Sequence, residues 1–155
     1  MDTHRATASL PWIDGPAVRA ALSPRAAVDA LEAALAAGLD PEADAPRTRV
    51  ATAAGQLLQM PSTRGTEVGT KLLTLTPDNP ERGLPVIQGV YVLFGAPGTP
   101  GQAPRAVLDG VELTGLRTSA VSTLGVRLLA DASPRHLVVF GTGGQRGGHP
   151  PPGGA

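Results

Sequence analysis

With 155 residues the chain has room for one domain with a core of its own. Thirteen basic side chains balance thirteen acidic ones, so nothing in the charge selects a nucleic acid or an anionic membrane as partner. No apolar run is long enough to span a bilayer, and the first residues lack the apolar segment of a signal peptide. With no cysteine there are no disulfides, thiol nucleophiles or cysteine metal sites, and a cytoplasmic protein is the default expectation.

Residues 1–12 read as a loose lead-in pinned by Trp12. Asp14-Gly15-Pro16 opens a short helix carrying Val18 and Leu22. Ser23-Pro24 opens a second, because serine caps a helix and proline is preset for its first position. Val28, Leu31 and Leu35 share one of its faces, and Gly38 is a natural stop. Residues 40–46 are acidic and proline-bounded, hence a loop. Residues 47–53 and 56–60 flank Ala54-Gly55 and predict a hairpin, with a polar turn at 63–67. The strand predicted at 68–76 puts Lys71 on a face with Gly69, Leu73 and Leu75.

Residues 77–83 form a turn-rich loop, and 86–94 is the most continuous apolar run, which predicts a central strand. After a glycine–proline loop the chain returns as a strand at 105–108, and Asp109-Gly110 reads as a turn. Thr114 then reads as the N-cap of a helix with Val121, Leu124 and Leu128 as its buried stripe. That start places Arg117 and Thr118 in about the first turn, where free N–H groups and the helix dipole favour an anion. An ordinary exposed arginine fits the same spacing. A break at Ser133-Pro134 precedes a last strand near residues 136–140, which runs into Gly141-Thr142-Gly143-Gly144. Residues 146–155 are a low-complexity tail expected to be disordered.

Two features carry chemistry. Twelve of the thirteen basic residues are arginine, and the one lysine, Lys71, sits inside a strand on an apolar face. Such a site suits a compact ammonium with an anionic partner, although a lysine that snorkels to water fits too. The second feature is the glycine turn. Gly141 and Gly143 supply the first two glycines of a dinucleotide-binding turn, but Arg146 stands where a small residue is required. Arg47, Lys71 and Arg117 lie in separate elements, and two guanidiniums with one ammonium suit an α-amino or α-imino carboxylate if they converge.

Seven blocks stand in the order and spacing of one family: Pro46-Arg47-Thr48, Met60-Pro61-Ser62, Gly69-Thr70-Lys71-Leu72, Val92-Leu93-Phe94, Ala106-Val107-Leu108-Asp109-Gly110, Leu113-Thr114 with Arg117-Thr118-Ser119-Ala120, and Gly141-Thr142-Gly143-Gly144-Gln145. By these blocks the chain resembles the ornithine cyclodeaminase/mu-crystallin family over residues 12–145. The resemblance implies an α+β fold. Residues 1–130 would form a substrate and dimerisation domain of N-terminal helices and a mainly antiparallel sheet. The helix after Thr114 and the first strand of an incomplete NAD(P)-binding Rossmann domain would follow, the start of that domain lying at 131–145.

Members of that family include ornithine and lysine cyclodeaminases, alanine dehydrogenases and ketimine reductases. The resemblance implies NAD or NADP as cofactor, an amino or imino acid as substrate, a homodimer, and no metal. It assigns Arg47, Lys71 and Arg117 to the substrate carboxylate, with Lys71 also the candidate catalytic group. Arg117, Thr118, Gly141, Gly143, Gly144 and Gln145 would meet the cofactor. Arg146 stands where the family usually has alanine, and no carboxylate matches the aspartate that cyclodeaminases use for acid/base work. The expectation is therefore a truncated, inactive relative, with a dimerising or small-carboxylate-binding remnant as the alternative.

Overall fold

A computed structural model describes residues 9–95 and 102–131, together with 135, 136, 138 and 140. The first helix, α1 (Gly15–Ala21), starts where the Asp14 carboxylate accepts the Ala17 N–H at 2.9 Å. The second, α2 (Pro24–Ala36), starts where Ser23 Oγ accepts the Ala26 N–H at 3.2 Å. Each has proline at the opening of the helix, where no amide partner is lost. The end of α2 is closed by two crossed bonds, Leu39 N–H to Ala34 O and Gly38 N–H to Leu35 O. That closure requires the left-handed backbone of Gly38, φ 88°, and satisfies two otherwise unpaired carbonyls. Within the expected loop at 40–46, Pro41–Ala43 forms a single 3-10 turn capped by Asp40.

Six strands form one sheet: β1 (Trp12–Ile13), β2 (Thr48–Thr52), β3 (Gly55–Arg64), β4 (Glu67–Leu75), β5 (Ile87–Phe94) and β6 (Pro104–Asp109). Their order is β1-β6-β5-β4-β3-β2, antiparallel throughout except for the parallel pair β1 and β6. The expected central strand is indeed interior, between β6 and β4. The hairpin at Ala54 forms as expected, but β3 extends through Thr63, which the sequence places in a turn. The lead-in is pinned by backbone rather than by an aromatic ring. Trp12 is 56% exposed, while Val107 N–H donates to Pro11 O at 3.0 Å.

The third helix, α3 (Gly110–Leu129), begins four residues before the expected cap. Asp109 is its N-cap, accepting the N–H groups of Val111 and Glu112 at 2.9 Å each, so Asp109-Gly110 opens a helix instead of turning a hairpin. Thr114 therefore lies inside the helix, where its hydroxyl donates back to Gly110 O at 2.5 Å. The buried stripe also differs from expectation. Val121 and Leu128 are 51% and 60% exposed, and the inward row is Leu116, Ala120 and Leu124. These pack on Ala27, Val28, Leu22 and Leu31, and the alanines let α2 and α3 approach closely. Ion pairs from Arg127 to Glu32 (2.6 Å) and to Asp29 (3.4 Å) tie the same two helices at the surface.

His136, Val138 and Phe140, the described positions of the expected last strand, lie in no strand. A strand needs a ladder partner, and none of the described strands pairs with these three positions. The Gly141-to-Gln145 turn and the tail lie outside the described residues.

Candidate functional site

Lys71 is in the middle of β4, with Met60 of β3 and Tyr91 of β5 as its cross-strand neighbours. Alternation puts Gly69, Lys71 and Leu73 on one face, and all three are buried. That face is covered by α3, and Lys71 is only 9% exposed. Its ammonium donates to Thr114 Oγ1 at 3.2 Å. Burial, then the positive charges of Arg117 and Arg47, push the Lys71 ammonium below its ordinary 10.5.

Both arginines therefore stand close enough to act on Lys71. Arg117 and Thr118 follow Thr114 at i+3 and i+4, which sets all three on one side of α3. Arg47 stands one residue before the first ladder pair of β2, Thr48 with Gln59, at the end of the strand nearest Met60. Arg117 and Thr118 lie two turns into α3, beyond the first turn in which the free N–H groups and the helix dipole act. What distinguishes the place is like charge, with both guanidiniums acting on the Lys71 ammonium. Among the described residues no ion pair involves Arg47, Lys71 or Arg117, although four are formed elsewhere. The described residues contain no cluster of histidine and carboxylate side chains able to hold a metal.

Two neighbours were not marked out by sequence spacing. Thr114 holds the ammonium, and only the helix start at Gly110 reveals that its hydroxyl turns inward. Tyr91 lies over Gly69, where an added Cβ would stand 1.8 Å from the phenol oxygen. Burial, then the carboxylates of Asp44 and Glu67, push the Tyr91 phenol above its ordinary 10.0. Beyond Tyr91 runs a groove of about 250 Å³ lined by Leu39, Ser62, Glu67, Gly69 and Leu93 among others. It shares Gly69 and Tyr91 with the Lys71 surroundings but does not include the ammonium. At its rim Ser62 Oγ donates to Asp44 Oδ1 at 2.8 Å.

The residues expected to meet a nicotinamide cofactor divide in two. Arg117 and Thr118 lie together on α3, with Arg117 exposed and its guanidinium available to an anionic group. Gly141, Gly143, Gly144 and Gln145 lie outside the described residues.

Comparison with known proteins fixes the family. Residues 16–149 match the ornithine cyclodeaminase/mu-crystallin family, and the chain belongs to it. It is 41% identical over 95 residues to Delta(1)-pyrroline-2-carboxylate reductase 2 of Burkholderia ambifaria, covering 61% of this chain and 30% of that protein. Among solved structures it resembles an archaeal alanine dehydrogenase dimer with bound NAD, with a TM-score of 0.67 and 26% identity. That likeness covers 79% of this chain and 38% of the dehydrogenase. It also resembles the Thermococcus litoralis Delta(1)-pyrroline-2-carboxylate reductase in complex with NADH and L-proline, with a TM-score of 0.66 and 25% identity over 80% of this chain and 39% of that one. The chain thus spans about a third of the length of these relatives.

Proposed function

We propose that Arg47, Lys71 and Arg117 bind the carboxylate of a small amino or imino acid, in the substrate half of a nicotinamide-dependent reductase, dehydrogenase or cyclodeaminase. The observation that carries this reading is the uncompensated charge. An ammonium buried on an apolar face, with two guanidiniums acting on it and, among the described residues, no carboxylate paired to any of them, is costly until an anion arrives. A ligand carboxylate would offset that cost, and an arginine fork would fix its plane.

Within that class, reduction of a cyclic imino acid is the favoured chemistry, because the similar Burkholderia and Thermococcus proteins are Delta(1)-pyrroline-2-carboxylate reductases. The cofactor, when bound, would supply or accept the hydride at the substrate α-carbon. This chain's part is to hold the carboxylate so that this carbon is presented in one orientation. NAD or NADP would meet Arg117 and Thr118 on α3, together with Gly141, Gly143, Gly144 and Gln145.

Calorimetric titration with L-proline tests the reading. Saturable binding by wild-type protein, lost in Lys71→Glu, supports it; binding of equal strength in the variant contradicts it. A companion assay of NADH oxidation with Delta(1)-pyrroline-2-carboxylate separates a catalytic chain from a binding remnant.

A second reading concerns assembly. No helix of the described residues covers the sheet face opposite Lys71, where Leu72, Val90, Val92 and Phe94 form a half-buried apolar row and Val50, on the edge strand β2 of the same face, is 55% exposed. We place a second copy of the chain on that face, which makes the protein a homodimer. Light scattering should give twice the chain mass for wild type and the single mass for Val92→Glu; a monomeric wild type contradicts the assignment.

A further inference from the structure

A lysine ammonium on a four-carbon stem is a poor locator of a ligand unless something fixes its head. Here the head is fixed. Lys71 Nζ lies 3.2 Å from Thr114 Oγ1, its one hydrogen-bond partner among the described residues. The Thr114 hydroxyl proton is already directed at Gly110 O, 2.5 Å away, so its lone pairs are left to face the ammonium. The bonds run in one direction, from Lys71 through Thr114 to the first carbonyl of α3.

The height of that relay above the sheet is set by Gly110. A Cβ there would stand 2.8 Å from both Val90 N and Val90 C, so the helix rests directly on the backbone of β5. Backbone cannot swing aside, and any side chain at this position must lift α3. Thr114 is one turn further along the same helix and would be lifted with it.

We propose that Thr114 is a positioning residue for Lys71, and that Gly110 sets the distance at which it acts. This deepens the carboxylate-binding reading and rests on it. With one ammonium proton committed to Thr114, two remain for a ligand, aimed by the one that is fixed. The accepting hydroxyl also stabilises the protonated lysine against burial and against Arg47 and Arg117, keeping the charge where a carboxylate needs it.

Because Lys71 is the only lysine, protein carrying 13Cε-lysine gives a single resonance whose pH titration reports this ammonium alone. Thr114→Val keeps the shape and removes the acceptor. Its Lys71 titration is expected at lower pH than wild type by at least about half a unit, with L-proline bound about tenfold more weakly. Thr114→Ser restores both readouts, and Gly110→Ala shifts the titration in the same direction as Thr114→Val. Coincident titration curves for wild type and Thr114→Val overturn the proposal, as does a Thr114→Ser protein that behaves like the valine variant. If Gly110→Ala does not fold, the isosteric Thr114→Val decides the matter alone. Wild-type protein that binds no L-proline removes the carboxylate reading, while the lysine titration still reads the role of Thr114.

Discussion

The Tyr91 phenol occupies the space that a side chain at Gly69 would need, two residues along the strand from Lys71. This packing closes one side of the lysine's surroundings and explains why glycine stands in a strand otherwise built of larger residues. Gly69→Ala must displace the Tyr91 ring, the movable end of a side chain, and should cost about 1–3 kcal/mol in chemical denaturation. Gly110→Ala meets backbone instead and should cost more. Gly125, in the C-terminal half of α3 with nothing within 4 Å of an added Cβ, should behave oppositely. Gly125→Ala is expected to stabilise the chain by up to about 1 kcal/mol.

Lys71→Met should separate stability from binding. Replacing a buried ammonium with an apolar group of similar size removes a cost that no carboxylate among the described residues offsets. The variant is expected to unfold at higher denaturant, by about 1 kcal/mol, while losing L-proline binding at least tenfold. A variant less stable than wild type would mean that the ammonium is better satisfied than Thr114 alone accounts for.

The pH dependence follows from the same group. The folded-state pKa of Lys71 lies below its ordinary 10.5. Between those two values the unfolded chain still binds a proton that the folded chain has released, so stability rises with pH in that window. As pH falls through the folded value, that stability is lost. The Tyr91 phenol is shifted up from 10.0 and opposes the trend only above that pH. Denaturation followed upward through alkaline pH to about 10 should therefore show the gap between wild type and Lys71→Met closing as pH rises. Carboxylate binding should weaken over the same range, because the ammonium that receives it is titrating away.

Asp109 accepts two N–H groups at the start of α3, just ahead of the residue that rests on β5. Asp109→Ala should cost about 1 kcal/mol, within the usual range for a lost N-cap. It should also loosen the first turn, with weaker L-proline binding as the second readout. Wild-type affinity in a destabilised Asp109→Ala protein would show that the cap serves folding alone.

Local chemistry made some of this legible in advance. Ser23-Pro24 and Gly38 marked the ends of α2 because a cap, a preset φ and a left-handed turn are properties of single residues. The period of two placed Lys71 on a buried face with Gly69 and Leu73. The start of α3 was misread because Asp109-Gly110 is equally a hairpin turn and a cap followed by its first helical residue. Glu112, three residues after Asp109, was the available signal for the cap. The inward stripe was misread because Val121 and Leu128 outrank Ala120 in hydrophobicity, whereas close packing against α2 selected the smaller side chain. The nearness of Arg47 and Arg117 to Lys71 could not be read from spacing. It depends on strand order and on α3 returning across the sheet, both properties of the whole chain. The family blocks, by contrast, were fully legible, and the match over residues 16–149 agrees with them.

The most direct test of the proposed carboxylate-binding role of Arg47, Lys71 and Arg117 is the Lys71 resonance itself, followed during titration with L-proline at neutral pH. Three cations sharing a ligand carboxylate predict a saturable shift and, in the complex, a Lys71 titration moved to higher pH than in the free protein. A Lys71 signal and titration that stay unchanged when L-proline is demonstrably bound would place the ligand elsewhere and contradict the account.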